Sequence, residues 1–212
     1  RGRLTKKQFT QFYPISDFTD LFKDIQKDNT LPRYATNLVY ITRAEQSTDV
    51  ERKIIYSIFN KQPKRAERYW FLHINITDEP YTKEYKVRQI IPDVLYRIDF
   101  NIGFKVNPRI NRFFNHVISD LVKSGEVDIT SKYYSLSKHN VPSDFRFIII
   151  DRVLTVDTEL TATERFVMNA YDVVKRFSMS SVNAYGLDTS NVMIEQVPLG
   201  IVPLTENGFK RL

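Results

Sequence analysis

Apolar residues along the chain fall into short runs and helical stripes, and one run sets the frame for the others. Tyr69 to Ile76 is almost unbroken apolar and aromatic sequence, interrupted by His73 and Asn75. A run this short, rich in aromatic and β-branched residues, predicts a strand buried on both faces. Thr77-Asp78-Glu79-Pro80 ends it, because Pro80 cannot donate to a ladder and its polar neighbours favour water. Upstream, residues 36–42 (Thr-Asn-Leu-Val-Tyr-Ile-Thr) form a second compact strand pattern. Between the two, Thr48-Asp49-Val50-Glu51 has the form of a capping box. It would open a helix with Ile54, Ile55, Ile58 and Phe59 on one face, stopped before Pro63. Strand, helix, strand in this order predicts a right-handed crossover between parallel strands.

The flanking pattern extends that nucleus. Ser16 can cap a short helix carrying Phe18, Leu21, Phe22 and Ile25. Residues 84–91 and 94–105 read as antiparallel strands joined at Pro92-Asp93. In the second, Leu95, Arg97, Asp99 and Asn101 alternate with Tyr96, Ile98, Phe100 and Ile102, making one face wetter, and Gly103 marks a bend or a close approach. Asn107-Pro108 opens a helix with Ile110, Phe113, Phe114, Val117, Ile118 and Leu121 at helical spacing, ended by Gly125. Strands are expected at 132–136, 145–156 and 191–197, with a helix begun by Thr161-Ala-Thr-Glu164 before the last. The expected fold is α/β: a single domain with a mixed, mainly parallel-core sheet flanked by helices. Residues 1–33 read as an N-terminal linker and short helix, 34–199 as the domain and 200–212 as a C-terminal tail.

Composition narrows the function classes. The chain has 212 residues, 42% hydrophobic and 26% charged, as in a globular protein. It holds no apolar stretch of bilayer length and no secretory leader pattern, and it opens on Arg1 rather than Met, as an excised fragment or trimmed tag would. With no cysteine, disulfides, thiolate metal sites and cysteine nucleophiles are excluded. A net charge of +6 admits nucleic acid, an anionic membrane face or a phosphate ligand. The cations are scattered, however, and are not interleaved with aromatics on one strand, so a nucleic-acid platform is disfavoured.

Catalytic signatures are missing. The six glycines form no phosphate loop, and His73, His116 and His139 have no zinc-binding spacing. His73 is expected to be a core histidine meeting a backbone carbonyl, and His116 to be partly solvated. Asp78 and Glu79 are adjacent on a strand end and point apart, unlike a working carboxylate pair. No enzyme, metal or cofactor is expected. A ligand has one natural place, beyond the carboxyl ends of the parallel strands. That rim comprises Thr42-Arg43-Ala44, Ser47-Thr48 and Asn75-Ile76-Thr77. Arg43 could clasp a phosphate with free amides at Thr48–Val50, or could simply pair with Glu45 or Asp49. Thr42, Asn75 and Thr77 offer polar contacts and Tyr81 a stacking face.

Several stretches together resemble the cytoplasmic C-terminal region of the Kup/HAK/KT potassium uptake permeases, in a bacterial, Gram-positive member. They are Thr36-Asn-Leu-Val-Tyr-Ile-Thr-Arg43, Glu67 through Thr77-Asp-Glu-Pro-Tyr81, Tyr96-Arg97 leading to Gly103-Phe104, Tyr133-Tyr-Ser-Leu-Ser-Lys138 and Tyr185-Gly-Leu-Asp-Thr-Ser-Asn-Val-Met-Ile-Glu195. The transmembrane core that would coordinate potassium is not among them. The resemblance implies a regulatory or assembly domain at the cytoplasmic face of the membrane, forming a homodimer and touching the transmembrane part of the same transporter. It also implies cyclic di-AMP as a regulatory ligand that inhibits uptake; Arg43, Thr42, Thr48, Asn75, Thr77 and Tyr81 are then the expected contacts. The alternative is a purely structural dimerisation platform that binds no nucleotide.

Overall fold

The computed structural model describes residues 11–107, 109–153 and 192–198. In chain order the elements are β1 (Phe12–Pro14), a 3-10 turn (Ile15–Phe18), α1 (Thr19–Lys27), β2 (Arg33–Thr42) and β3 (Asp49–Glu51). Next come α2 (Arg52–Ile55), continued by a π-helical stretch (Tyr56–Lys61), then β4 (Arg65–Thr77), β5 (Lys83–Ile91) and β6 (Leu95–Gly103). α3 (Ile110–Lys123), α4 (Tyr134–Ser137), β7 (Phe145–Val153) and β8 (Val192–Pro198) complete the described chain. The helix expected after Thr161 and the C-terminal tail lie outside the described residues.

Six strands form one sheet in the order β5-β6-β4-β2-β7-β8. Every pairing is parallel except the β5–β6 hairpin. The pairing expected from the two apolar runs is present: β2 lies parallel to β4, with Leu38 opposite Tyr69 and Thr42 opposite His73. Successive side chains alternate between faces, which is why β4 reads as an unbroken apolar run. Tyr69 and Phe71 join Leu38, Tyr40 and Ile148 beneath Phe22 of α1 and Ile54, Ile55 and Ile58 of the next helical layer. Trp70 and Leu72 point the other way, with Tyr96, Ile98 and Phe147, under Ile110, Phe114, Val117 and Leu121 of α3. Trp70 stacks on Tyr96 at 4.5 Å and donates its indole N–H to Asn37 Oδ1 at 3.1 Å. The buried indole is thereby both packed and hydrogen-bonded.

Two expected elements take other forms. Thr48–Glu51 is not a capping box, since Asp49–Glu51 pairs antiparallel with Phe12–Pro14, Tyr13 standing opposite Val50. The helix begins only at Arg52, and Glu51 makes no side-chain cap; its carboxylate accepts from the Arg43 amide at 3.0 Å. A partner strand some 35 residues upstream decides this, and local pattern carries no sign of it. Residues 132–136 are not a strand either. Their backbone closes locally, with Ser137 N–H to Tyr133 O at 2.9 Å and Lys138 N–H to Tyr134 O at 3.2 Å. Tyr134 is 84% exposed, so no burial compensates for opening that turn. Among the described residues no helix is long and apolar enough to cross a membrane.

Gly103 is the close approach that its position predicted. A Cβ built there would lie 2.5 Å from the carbonyl oxygens of Glu79 and Pro80. The same turn is tied down by Gly103 N–H to Thr82 O at 2.9 Å and Lys105 N–H to Pro80 O at 3.0 Å. Gly103→Ala must therefore displace backbone, at an expected cost of about 1–3 kcal/mol. Thermal melts of the two proteins check it; an unchanged midpoint would show that the turn moves freely.

Candidate functional site

The carboxyl ends of the parallel strands form a step. β2 stops at Thr42, opposite His73, whereas β4 continues to Thr77, opposite Gly103. The loop leaving β2, residues 43–48, folds into that step and is tied down at several points. Thr42 Oγ1 accepts from the Ala44 amide at 3.1 Å, and Thr48 O accepts from the Ile15 amide at 2.7 Å. The chief anchor is Arg97 of β6, only 1% exposed. Its guanidinium donates to Gln46 O at 2.7 Å, Ala44 O at 2.7 Å and Glu45 O at 3.2 Å, and to Asp99 Oδ1 at 2.7 Å. One planar fork thus satisfies three successive carbonyls of the loop and a carboxylate, four acceptors where a lysine has three donors.

Asp99 is shared. His73 Nδ1 lies 3.4 Å from its Oδ1 and Arg88 Nη1 lies 3.7 Å from its Oδ2. The expected carbonyl partner of His73 is therefore replaced by a carboxylate, because the β4–β6 register sets His73 directly opposite Asp99. Burial, seconded by the Arg97 charge, holds the His73 imidazole below its ordinary pKa, and Asp99 only partly offsets them. The unfolded chain then binds more protons than the native one as pH falls below the ordinary imidazole value of about 6.5. Stability attributable to His73 is full above that value and is lost on acidification. His73→Gln is expected to flatten the fall in urea midpoint between about pH 7 and 5; an unaltered slope would acquit the imidazole.

The six expected contact residues separate. Thr42 is buried, 2% exposed, and its hydroxyl is committed to the loop. Arg43 is exposed and has no ion-pair partner among the described residues, so neither Glu45 nor Asp49 engages it. Thr48 is exposed with its hydroxyl on Asp49 Oδ1 at 3.2 Å. No helix N-terminus stands at Thr48–Val50: the Asp49 amide donates to Gln46 O at 3.3 Å and the segment enters the β1–β3 ladder. The cradle of free amides is thus not formed, a consequence of the strand pairing that displaced the capping box. Asn75 and Thr77 do share one face of β4, Asn75 Nδ2 donating to Asn101 Oδ1 at 3.1 Å and Thr77 Oγ1 to Glu79 O at 3.3 Å. Tyr81 stands in the following turn, 69% exposed, with Lys105 Nζ 5.8 Å from its ring centre.

Sequence reasoning passed over Arg97, Asp99, Asn101 and Arg88. The signal was there in the polar alternation along β6, but nothing local says that Arg97 is buried while Asn101 is not.

A family model described as "K+ potassium transporter C-terminal domain" matches residues 35–201. The chain belongs to this family. It is 48% identical over 207 residues to the "Probable potassium transport system protein Kup" of Cytophaga hutchinsonii, covering 98% of this chain and 32% of that protein. Proteins of the same name in Flavobacterium johnsoniae and Clostridium perfringens are 46% and 36% identical, over 97% and 100% of this chain and 31% and 32% of theirs. The chain is therefore a C-terminal domain of a Kup-family permease, spanning about a third of the length of these relatives. No solved structure matches it.

Proposed function

We propose that this Kup-family domain is the cytosolic regulatory and dimerisation part of a potassium importer, and that it binds cyclic di-AMP to inhibit potassium uptake. Its role is control rather than catalysis or conduction, since carrying an ion needs a desolvated route through the bilayer. The observation that supports the reading best is the stepped polar rim at the carboxyl ends of the parallel strands, the place where open α/β sheets bind small anions. There a rigidly held loop presents the unpaired guanidinium of Arg43. A doubly charged dinucleotide would find a phosphate partner in Arg43, polar contacts in Asn75 and Thr77 and a stacking face in Tyr81. Calorimetry with cyclic di-AMP at about 100 μM protein, the reach of a weak site, is expected to give a saturable heat. Absence of heat there would remove cyclic di-AMP as the ligand.

The runner-up is a structural platform that pairs two transporter subunits and binds no nucleotide. One observation favours it. β8 is an outer strand of the sheet among the described residues, and it exposes Met193 by 41% and Ile194 by 57%. Light scattering that returns a dimer with no response to nucleotides would select this reading.

A further inference from the structure

Among the described residues, the helical cover on one face of the sheet stops short of the strand ends. α1 and the layer that follows β3 cover Tyr69 and Phe71 of β4, but the next residues on that face are His73, Asn75 and Thr77. Register places Asp99 and Lys86 beside His73, and Asn101 and Glu84 beside Asn75. Asn75, Lys86 and Glu84 are exposed, and His73, Asp99 and Asn101 are half-buried. The opposite face at the same level is apolar and filled, with Phe100 and Ile102 packed in the α3 core. Parallel strands are ordinarily covered on both faces, so an open polar shelf at their carboxyl ends is where a ligand would complete the fold's cover.

The chemistry of the shelf is specific. With Asn75 Nδ2 engaged on Asn101 Oδ1, the pair still presents the Asn75 Oδ1 acceptor beside the Asn101 amide donors. An acceptor next to a donor is the complement of an adenine edge, with its amino group and ring nitrogen. Side-chain rows on one face of a strand are ~7 Å apart. Lys86 therefore stands one row from the amide pair and Arg88 two rows away, on the side toward the β2 loop. In these two rows Arg97 and Arg88 both reach the single carboxylate of Asp99, at 2.7 and 3.7 Å, and Lys86 adds a third cation, so the local charge at that end is net positive. Glu84, beside Asn101, supplies an acceptor for the amino group or a ribose hydroxyl.

We infer that this shelf is an adenine-nucleotide site, the Asn75–Asn101 amides reading the base and Lys86 with Arg88 holding phosphate. The inference rests on the reading of the domain as nucleotide-binding, but not on cyclic di-AMP being the nucleotide. It adds Lys86 and Arg88 of β5 to Arg43 as phosphate contacts.

AMP, ADP, GMP and cyclic di-AMP, titrated separately into the full chain by calorimetry, test it. At least one adenine nucleotide is expected to bind, and GMP to bind about tenfold or more weakly. Asn101→Ala and Lys86→Ala should each weaken the adenine ligand by about tenfold, while Lys123→Ala, at the exposed end of α3 on the other face of the sheet, leaves it unchanged. Lys86 is fully outside the core, so its variant cannot fail through misfolding. If an adenine nucleotide binds but neither shelf variant weakens it, the shelf is wrong and a nucleotide-binding domain still stands. If AMP or ADP binds on the shelf and cyclic di-AMP does not, the shelf stands and the cyclic di-AMP reading falls. If none of the adenine nucleotides binds, both are overturned.

Discussion

Replacing Arg97 with methionine is expected to lower the unfolding free energy by about 3–5 kcal/mol, because it breaks a buried ion pair from one side. The side chain is 1% exposed and Asp99, its partner, 18%. Methionine keeps most of the packing volume but leaves Asp99 short of its closest cation and three loop carbonyls without their donor. An unmade bond to a buried acceptor costs its desolvation, typically about 1–3 kcal/mol; the charged partner raises the total toward the upper figure. Urea unfolding followed by tryptophan fluorescence reads the effect, since Trp70 is the single tryptophan and lies in the core. Amide exchange at Arg43 and Ala44 should quicken in the same variant, as the loop loses its anchor. Arg97→Lys should recover only part of the loss, one ammonium being unable to span the carbonyls that the guanidinium does. A loss below about 1 kcal/mol, the level of a surface ion pair, would show that Arg97 does not hold the rim.

The second large effect is expected at Glu195, which fastens β8 to the helical layer. Lys64 Nζ lies 3.0 Å from Glu195 Oε1, with side-chain exposures of 0% and 8%. Ser57 Oγ donates to the other carboxylate oxygen, and Tyr40 OH lies 2.9 Å from the Ser57 hydroxyl. Glu195→Ala strands the ammonium in the core and is expected to cost about 3–5 kcal/mol. The double variant Lys64→Met with Glu195→Leu should regain most of that stability, because a desolvated pair is worth little more than apolar residues of like volume. Chemical denaturation of the wild type, Lys64→Met alone, Glu195→Leu alone and the double closes the cycle. Additive losses would refute coupling between the two residues.

The pH dependence gives an independent reading of the same pair. Burial pushes the Lys64 ammonium down from its ordinary value, and Glu195 holds it up. With the carboxylate gone the depression deepens. The native state then sheds its proton before the unfolded chain does, so stability rises with pH through that window. The deficit of Glu195→Ala is therefore expected to shrink as pH rises toward the ordinary lysine value of about 10.4. Above that value Tyr40 works the other way, since burial raises its phenol well above the ordinary value and alkali favours the unfolded state.

Which parts of this were legible in the chain follows from the range of the forces involved. The β2–β4 pair was readable because burial on both faces demands an apolar residue at every position, and such demands are written locally. The same holds for the α3 stripe and for Gly103, where a side chain would meet the Glu79–Pro80 backbone. The capping box failed because Thr48–Glu51 meets Phe12–Pro14, and a long-range ladder overrides a local cap. The rim was half legible. Asn75 and Thr77 were placed on it correctly, but the arrangement of Arg43 and Thr48 as a phosphate cradle depended on a helix start that does not exist there.

Alternation and composition, then, were enough to determine an α/β sheet with β2 and β4 at its centre and a polar step at their ends. Each of those features follows from whether a residue meets water or carbon, which neighbours in sequence largely reveal. Only the tertiary structure decided which charges are spent and which are free. Arg97 and Arg43 are the same residue type, one within β6 and one just past the end of β2. One is consumed by three carbonyls and a carboxylate, and the other faces solvent. A guanidinium's role is set by the acceptors brought to it from β2 and its loop, more than fifty positions away, and no local pattern encodes that meeting.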